Sequence, residues 1–181
     1  MAETEYQDPL GDRWGWRVAF VTVPFIVGVG SLMGWLSNSG YGNSWFDDLV
    51  KPIFMPPGWA FGVVWPILYT MLGIALAAIL QEPATGRRRT ALILFFVQLA
   101  LNFAWSPIFF GERMIDLAMV VIVLMLVFTL ATARAFKKLR TVAGYLLIPY
   151  LLWLCLATAL NYETGRLNPG ADARPLGITG A

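Results

Sequence analysis

Five long apolar stretches are the feature of this sequence that most limits what the chain can fold into. A helix needs about 20 apolar residues to cross the hydrocarbon core of a bilayer. The sequence supplies five such stretches with almost no charge inside them, at residues 16–37, 58–80, 90–110, 114–136 and 142–162. Charged residues make up only 13% of the chain, about half the share that is usual in soluble domains. The sequence therefore predicts an all-α integral membrane protein, a bundle of five transmembrane helices.

The apolar stretches divide the chain into three parts. Residues 1–15 are predicted to form an N-terminal tail, residues 16–163 the membrane domain, and residues 164–181 a flexible C-terminal tail rich in glycine and proline. Within the membrane domain, the connection formed by residues 38–57 is long and the other connections are short. Because a long ordered loop in a compact protein often covers a site, residues 38–57 are predicted to form a lid.

Basic residues are unevenly distributed between the two ends of the predicted helices. Cytoplasmic loops of membrane proteins carry an excess of Lys and Arg. On the N-terminal side there are nine: Arg13, Arg17, Arg87, Arg88, Arg89, Arg134, Lys137, Lys138 and Arg140. The opposite side has four: Lys51, Arg113, Arg166 and Arg174. The bias predicts a cytoplasmic N-terminus and favours a bacterial cytoplasmic membrane over an outer membrane. It also accounts for the basic runs, and a net charge of only +2 gives no indication of a nucleic-acid partner.

The residues that the sequence lacks exclude several kinds of chemistry. There is no histidine, which excludes histidine general bases, histidine metal sites and histidine ligation of haem iron. With one cysteine, Cys155, no intrachain disulfide can form. No catalytic residue, metal site or required cofactor is therefore predicted. An ion- or proton-coupled transporter is disfavoured, because the interiors of the stretches lack the carboxylates and histidines of a proton relay.

Three of the stretches carry aromatic and polar or small residues on one helical face, recurring three or four residues apart. They are Gly62, Trp65, Tyr69 and Gly73 in the second stretch, Gln98, Asn102 and Trp105 in the third, and Tyr150, Trp153, Ala157 and Asn161 in the fifth. Together, these faces would line a cavity suited to a large, flat, mostly apolar ligand. Single residues also have structural interpretations: Asn102 as a clamp between helices, and Trp16 and Trp35 as anchors at the membrane interface. A purely structural membrane subunit would leave the aligned faces without a role.

Three segments of the sequence resemble the TspO/MBR family, which comprises the tryptophan-rich sensory proteins of bacteria and the mitochondrial translocator protein. They are "WFDDLVKPIFMPPGWAFGVVWPILY", "QLALNFAWSPIFFG" and "LIPYLLWLCLATALNYETGR", in the family's order and spacing over about residues 16–168. The resemblance implies a five-helix membrane fold, commonly dimeric, that binds porphyrins and other tetrapyrroles, and in animals also cholesterol and synthetic drugs. Ala100 and Ala104 add a weak small-xxx-small signal for a homodimer.

The resemblance also implies a set of ligand-binding residues. It comprises Trp45 in the lid, Trp59, Phe61, Gly62, Trp65 and Tyr69 from the second stretch, Asn102 and Trp105 from the third, and Trp153 and Ala157 from the fifth; Tyr150, from the aromatic face of the fifth stretch, completes the predicted site. The sterol-recognition pattern of animal members aligns weakly with Leu160, Tyr162 and Arg166. The expected function is that of a membrane receptor or sensor for tetrapyrroles, protoporphyrin IX or haem, with a role in their transport or regulation. The alternative is a light- and oxygen-dependent catalyst that degrades porphyrins.

Overall fold

The computed structural model describes residues 11–180, with side chains from Trp16 onward. Within that range every regular element is helical. The α-helices are α1 Gly11–Leu36, α2 Ser44–Asp48, α3 Gly58–Leu80, α4 Gly86–Ser106, α5 Ile115–Leu139, α6 Thr141–Tyr145 and α7 Ile148–Leu167, and a π-helical turn, Pro107–Gly111, follows α4. Five helical segments of the described chain are long and apolar enough to cross a membrane. The predicted five-helix membrane bundle is confirmed.

Both predicted tails differ from the structure. Residues 11–15, predicted as part of the N-terminal tail, already belong to α1, whereas residues 1–10 lie outside the described residues. At the other end α7 continues to Leu167, beyond the predicted end of the membrane domain at residue 163. The last turn of α7 is stabilised by an ion pair between Arg166 and Glu163, with 2.5 Å between Nη2 and Oε1.

The C-terminal tail is folded against the start of α5, so the prediction of a flexible tail is wrong for residues 168–180. The buried carboxylate of Asp116 accepts hydrogen bonds from the backbone N–H groups of Leu176, Ile178 and Thr179, at 2.7, 3.1 and 2.8 Å. Gly170 and Gly177 adopt φ values of 85° and 74°, which other residues rarely reach. The glycines that suggested flexibility therefore provide the turns that let the tail wrap around Asp116.

Small residues and buried polar bonds set the packing of α1 on α3. A Cβ at Gly73 would lie 2.7 Å from the Cα of Val23, so only glycine allows the two backbones to approach this closely. Beside this contact the Thr22 hydroxyl donates to the Gly73 carbonyl at 2.8 Å. Elsewhere in the bundle α4 packs along α5, and α5 also packs on α7. The bundle core therefore lies between α3, α4, α5 and α7, where Leu72, Phe95, Phe136 and Leu154 are fully buried.

The end of α4 widens into the π-helical turn. Pro107 has no N–H group and so cannot continue the ordinary ladder of hydrogen bonds. Its carbonyl accepts from the Glu112 N–H at 2.9 Å, a bond that spans five residues and defines the wider turn. The change in helical pitch turns Phe109 inward, where its ring stacks on Trp105 with centroids 5.0 Å apart and planes 18° apart.

The lid contains one helical turn, α2, with hydrogen bonds at both ends. The Asn43 side chain caps its start, accepting from the Phe46 N–H at 3.2 Å. At its end the Lys51 ammonium donates to the carbonyls of Phe46, Asp47 and Leu49. Phe46 and Leu49 are buried in a small apolar cluster beside Phe109. The lid is therefore an ordered cover over the end of the bundle.

Candidate functional site

A cavity of about 660 Å³ lies between the helices and beneath the lid. This volume is within the roughly 300–1,000 Å³ typical of small-molecule sites. Among the described residues that line it, none is charged. Its walls come from α1, α3, α4, α5 and α7, from the π-helical turn and from the lid. The site is therefore an uncharged pocket within the membrane part of the protein.

The structure brings nine of the eleven predicted ligand-binding residues to the cavity wall. They are Trp59, Phe61, Gly62, Trp65, Tyr69, Asn102, Trp105, Trp153 and Ala157. Of the sterol-like pattern, Leu160 lines the cavity, whereas Tyr162 is exposed on the outer face of α7 and Arg166 pairs with Glu163. Those three residues therefore do not form one site.

Aromatic side chains of α3 and α7 form one continuous wall. The ring of Trp65 lies 5.3 Å from that of Tyr69 and 6.4 Å from that of Trp153, measured between centroids. Phe61 extends the wall, with its ring 5.6 Å from Trp153 in an edge-to-face arrangement. Trp105 and Phe109, from α4 and the π-helical turn, add a second, stacked pair to the lining. The cavity therefore offers two aromatic surfaces to a flat ligand.

The polar floor of the cavity is a hydrogen-bonded junction between helices. The Tyr69 hydroxyl donates to Asn102 Oδ1 at 2.8 Å, and Asn102 Nδ2 donates to the Tyr150 hydroxyl at 2.7 Å. The Tyr150 hydroxyl in turn donates to the sulfur of Met125 at 3.1 Å. These contacts join α3, α4, α7 and α5. Asn102 is therefore an interhelical clamp, with its amide oxygen and nitrogen both already bonded to protein.

Tyr150 lies behind the cavity wall, whereas the sequence placed it at the cavity surface. The side chain is fully buried and is not among the residues that line the cavity. Its face of α7 was predicted correctly, but the helices pack so closely at that level that its hydroxyl meets Asn102 before any open space. Tyr150 therefore holds the Asn102 amide in place at the floor of the cavity.

Trp45 also lies outside the cavity, contrary to the implication of the family resemblance. Its ring packs edge-on against Phe109, with centroids 5.6 Å apart, and it lines a separate surface groove near the C-terminal tail. The next residue, Phe46, reaches the cavity instead. Because successive residues of a helix project about 100° apart, α2 can direct only one of the two side chains inward.

Sequence reasoning missed three helical parts of the wall. They are the π-helical turn, with Phe109 and Phe110, α5, with Ile122 and Met125, and the last turns of α1, with Gly30, Ser31, Met33, Gly34 and Trp35. In α1 the detectable signal is the pair of glycines four residues apart, since a side chain at Gly30 would overlap the ring of Tyr69. Trp35 was interpreted only as an interface anchor; it is largely exposed and also lines the rim of the cavity.

Comparisons with known proteins agree with this architecture. A sequence model of the TspO/MBR family matches residues 20–167. The "Tryptophan-rich sensory protein" of Cereibacter sphaeroides is 40% identical over 126 residues, covering 70% of this chain and 78% of the relative. The "Translocator protein" of Sus scrofa is 39% identical over 163 residues, covering 87% and 92%. The human "Translocator protein" is 36% identical over 159 residues, with the same coverage.

Proposed function

Because this chain belongs to the TspO/MBR family, we propose that it is a membrane receptor or sensor that binds tetrapyrroles in its aromatic cavity and acts in their transport or regulation. Protoporphyrin IX is the tetrapyrrole that we propose to test first. The observation that carries the proposal is a cavity of about 660 Å³ with two aromatic surfaces in its wall and no charged residue in its described lining. The names of the relatives, sensory and translocator proteins, are consistent with a receptor rather than a structural subunit.

The wall residues define how a tetrapyrrole would be held. Stacking on Trp65, Trp153 and the Trp105–Phe109 pair supplies most of the contact area. Since no cation lines the described cavity, we expect the propionates to extend towards the lid, where water reaches them.

Metal-free protoporphyrin is expected to bind at least as well as haem. Haem iron needs a protein ligand such as histidine, cysteine, methionine or tyrosine for axial coordination. The sequence has no histidine, and the Tyr69 hydroxyl is engaged with Asn102. Among the described lining residues this leaves Tyr41 and the weakly ligating thioethers of Met33, Met55 and Met125. An axially ligated absorption spectrum together with much tighter haem binding would contradict this expectation.

The proposal is tested by titrating the detergent-purified protein with protoporphyrin IX in the dark. We expect saturable quenching of tryptophan fluorescence, weakened about threefold to tenfold in Trp65→Phe and in Trp153→Phe because each loses aromatic contact area. Trp45→Phe is the matched control, since Trp45 lies outside the cavity. Equal affinity in all four proteins would place the ligand elsewhere, and no saturable binding would remove the proposed function.

A second candidate function, light-dependent porphyrin degradation, is favoured by one observation. The cavity wall presents two tryptophans, Trp65 and Trp153, with ring centroids 6.4 Å apart, where a photo-excited ligand would contact both. Illumination of the complex in the presence of oxygen, followed by absorption spectroscopy, tests it. Porphyrin consumption that exceeds that of free ligand and is lost in both tryptophan variants would support catalysis, and its absence would leave binding alone.

The helices lie in a lipid bilayer. The kind of membrane, the orientation of the protein in it and its oligomeric state are proposals. We place the protein in a bacterial cytoplasmic membrane with a cytoplasmic N-terminus, because nine basic residues lie on that side and four on the other. A homodimer is proposed with α4 at its interface, since Ala100 is exposed there. Labelling of single cysteines from each side of sealed vesicles tests the orientation, and crosslinking through an introduced cysteine at position 100 tests the dimer.

A further inference from the structure

The lid of the cavity is held by a side chain that lies outside the cavity. Asn168 follows the last turn of α7, and its amide bonds both backbone groups of Val50 in the lid. Oδ1 accepts from the Val50 N–H at 2.7 Å, and Nδ2 donates to the Val50 carbonyl at 2.9 Å. Nδ2 also donates to the Thr164 carbonyl at 2.7 Å, which fixes the amide against its own helix. The side chain therefore binds Val50 much as a neighbouring strand would.

Val50 lies between two parts of the lid that differ in exposure. Before it, Phe46 and Leu49 are buried in the apolar cluster beside Phe109. After it, Ile53 and Phe54 are exposed, although Pro52 is buried and Met55 packs on the same cluster. Lid residues on both sides of Val50 line the cavity, among them Phe46 before it and Met55 after it. A hydrogen-bonded hold on Val50 therefore fixes how the second part of the lid sits over the cavity.

The folded tail keeps Asn168 in place from the other side. Asp172 accepts from the backbone N–H of Asp116 at 2.7 Å, and the Ala173 N–H donates to the Arg113 carbonyl at 3.0 Å. The Asp116 carboxylate binds the tail again through the Thr179 hydroxyl, at 2.6 Å. The chain from Asn168 to Thr179 is thus fixed to the first turn of α5 at several points.

We propose that Asn168 is a positioning residue for the cavity lid, supported by the Asp116-bound tail, and that it slows ligand exchange. The part of the proposal concerning ligand exchange rests on the proposed function, whereas the contact with the lid does not depend on it. Opening the lid requires the Asn168–Val50 bonds to break, so their loss raises the population of the open lid. With two hydrogen bonds removed, we expect that population to rise by about tenfold.

The test uses the full chain in phosphatidylcholine nanodiscs and compares Asn168→Ala with the wild type. Hydrogen–deuterium exchange measured by mass spectrometry, without ligand, is expected to become about tenfold faster in residues 44–56. Exchange in the interiors of α3, α4 and α5 is expected to stay unchanged, which separates lid opening from a general loss of stability. Arg174→Ala is the matched control, because the tail bond at Arg174 uses only its backbone N–H.

A second variant and a second readout make the result decisive. Asp116→Asn is expected to speed exchange in both the tail and the lid, since it places an amide donor against backbone donors. Protoporphyrin IX release from Asn168→Ala, followed by fluorescence after dilution, is expected to be several-fold faster. Unchanged lid exchange in Asn168→Ala would overturn the proposal, and faster lid exchange with unchanged release would overturn its kinetic part. If the wild type binds no protoporphyrin, the proposed function fails, and lid exchange alone decides whether Asn168 positions the lid.

Discussion

The two ends of the cavity are built in different ways. At the floor, the Tyr69, Asn102 and Tyr150 side chains bond one another across three helices, and all three are buried. At the mouth, Asn168 and Lys51 bond backbone groups of the lid, and their surroundings are partly exposed. Buried polar groups are costly to leave unpaired, whereas exposed ones can exchange their partners for water. We therefore expect the floor to be the rigid end of the cavity and the mouth to be the end that opens more readily.

The largest loss of stability is expected from removing the hydrogen bonds of the floor. Asn102→Leu keeps the approximate size of the side chain but leaves the Tyr69 hydroxyl without its acceptor and the Tyr150 hydroxyl without its donor. The expected loss is about 2–4 kcal/mol in the free energy of unfolding, because two buried polar groups lose partners at once. Thermal unfolding of the detergent-purified protein measures it. Thr158→Ala is the control, since its hydroxyl bonds only the Leu154 carbonyl on the same helix. A midpoint equal to that of the control would show that the floor is not the rigid end.

A smaller loss in the free energy of unfolding is expected from a change at the contact between α1 and α3. In Gly73→Ala the new methyl group would lie 2.7 Å from the Val23 Cα, so the two helices must move apart. Overpacking of this kind costs roughly 1–3 kcal/mol. Gly62→Ala, on the same helix, is the matched control, because a Cβ there meets nothing within 4 Å. The same unfolding assay compares the two variants. Equal midpoints would mean that the close contact of α1 with α3 does not support the rigid end.

The floor and the mouth also differ in how well the sequence predicts them. The floor residues recur at helical spacing within apolar stretches, so Tyr69, Asn102 and Tyr150 could be assigned to facing surfaces without coordinates. Which of them reach open space could not be predicted, because the close packing of Tyr150 behind Asn102 depends on distances between helices. At the mouth, the contact between Asn168 and Val50 joins residues 118 positions apart and follows no local period. The tail was predicted to be flexible because its glycines and prolines carry no sign of the single buried carboxylate that organises it.

The smallest loss of stability is expected from a change at the mouth. A loss that is limited to the lid would strengthen the contrast with the floor. Lys51→Met keeps most of the apolar stem but removes the ammonium, which donates to the Asp47 and Leu49 carbonyls at 3.1 and 2.8 Å and lies 4.5 Å from the centre of the Phe46 ring. Water can replace these donors, so the expected cost is about 0.5–1 kcal/mol, limited to the end of α2. Hydrogen–deuterium exchange of residues 44–51 should quicken a few-fold while the unfolding midpoint stays within error of the wild type. A fall in the midpoint as large as that of Asn102→Leu would mean that the lid and the floor unfold together, and the division of the cavity into a rigid end and an exchanging end would then be wrong.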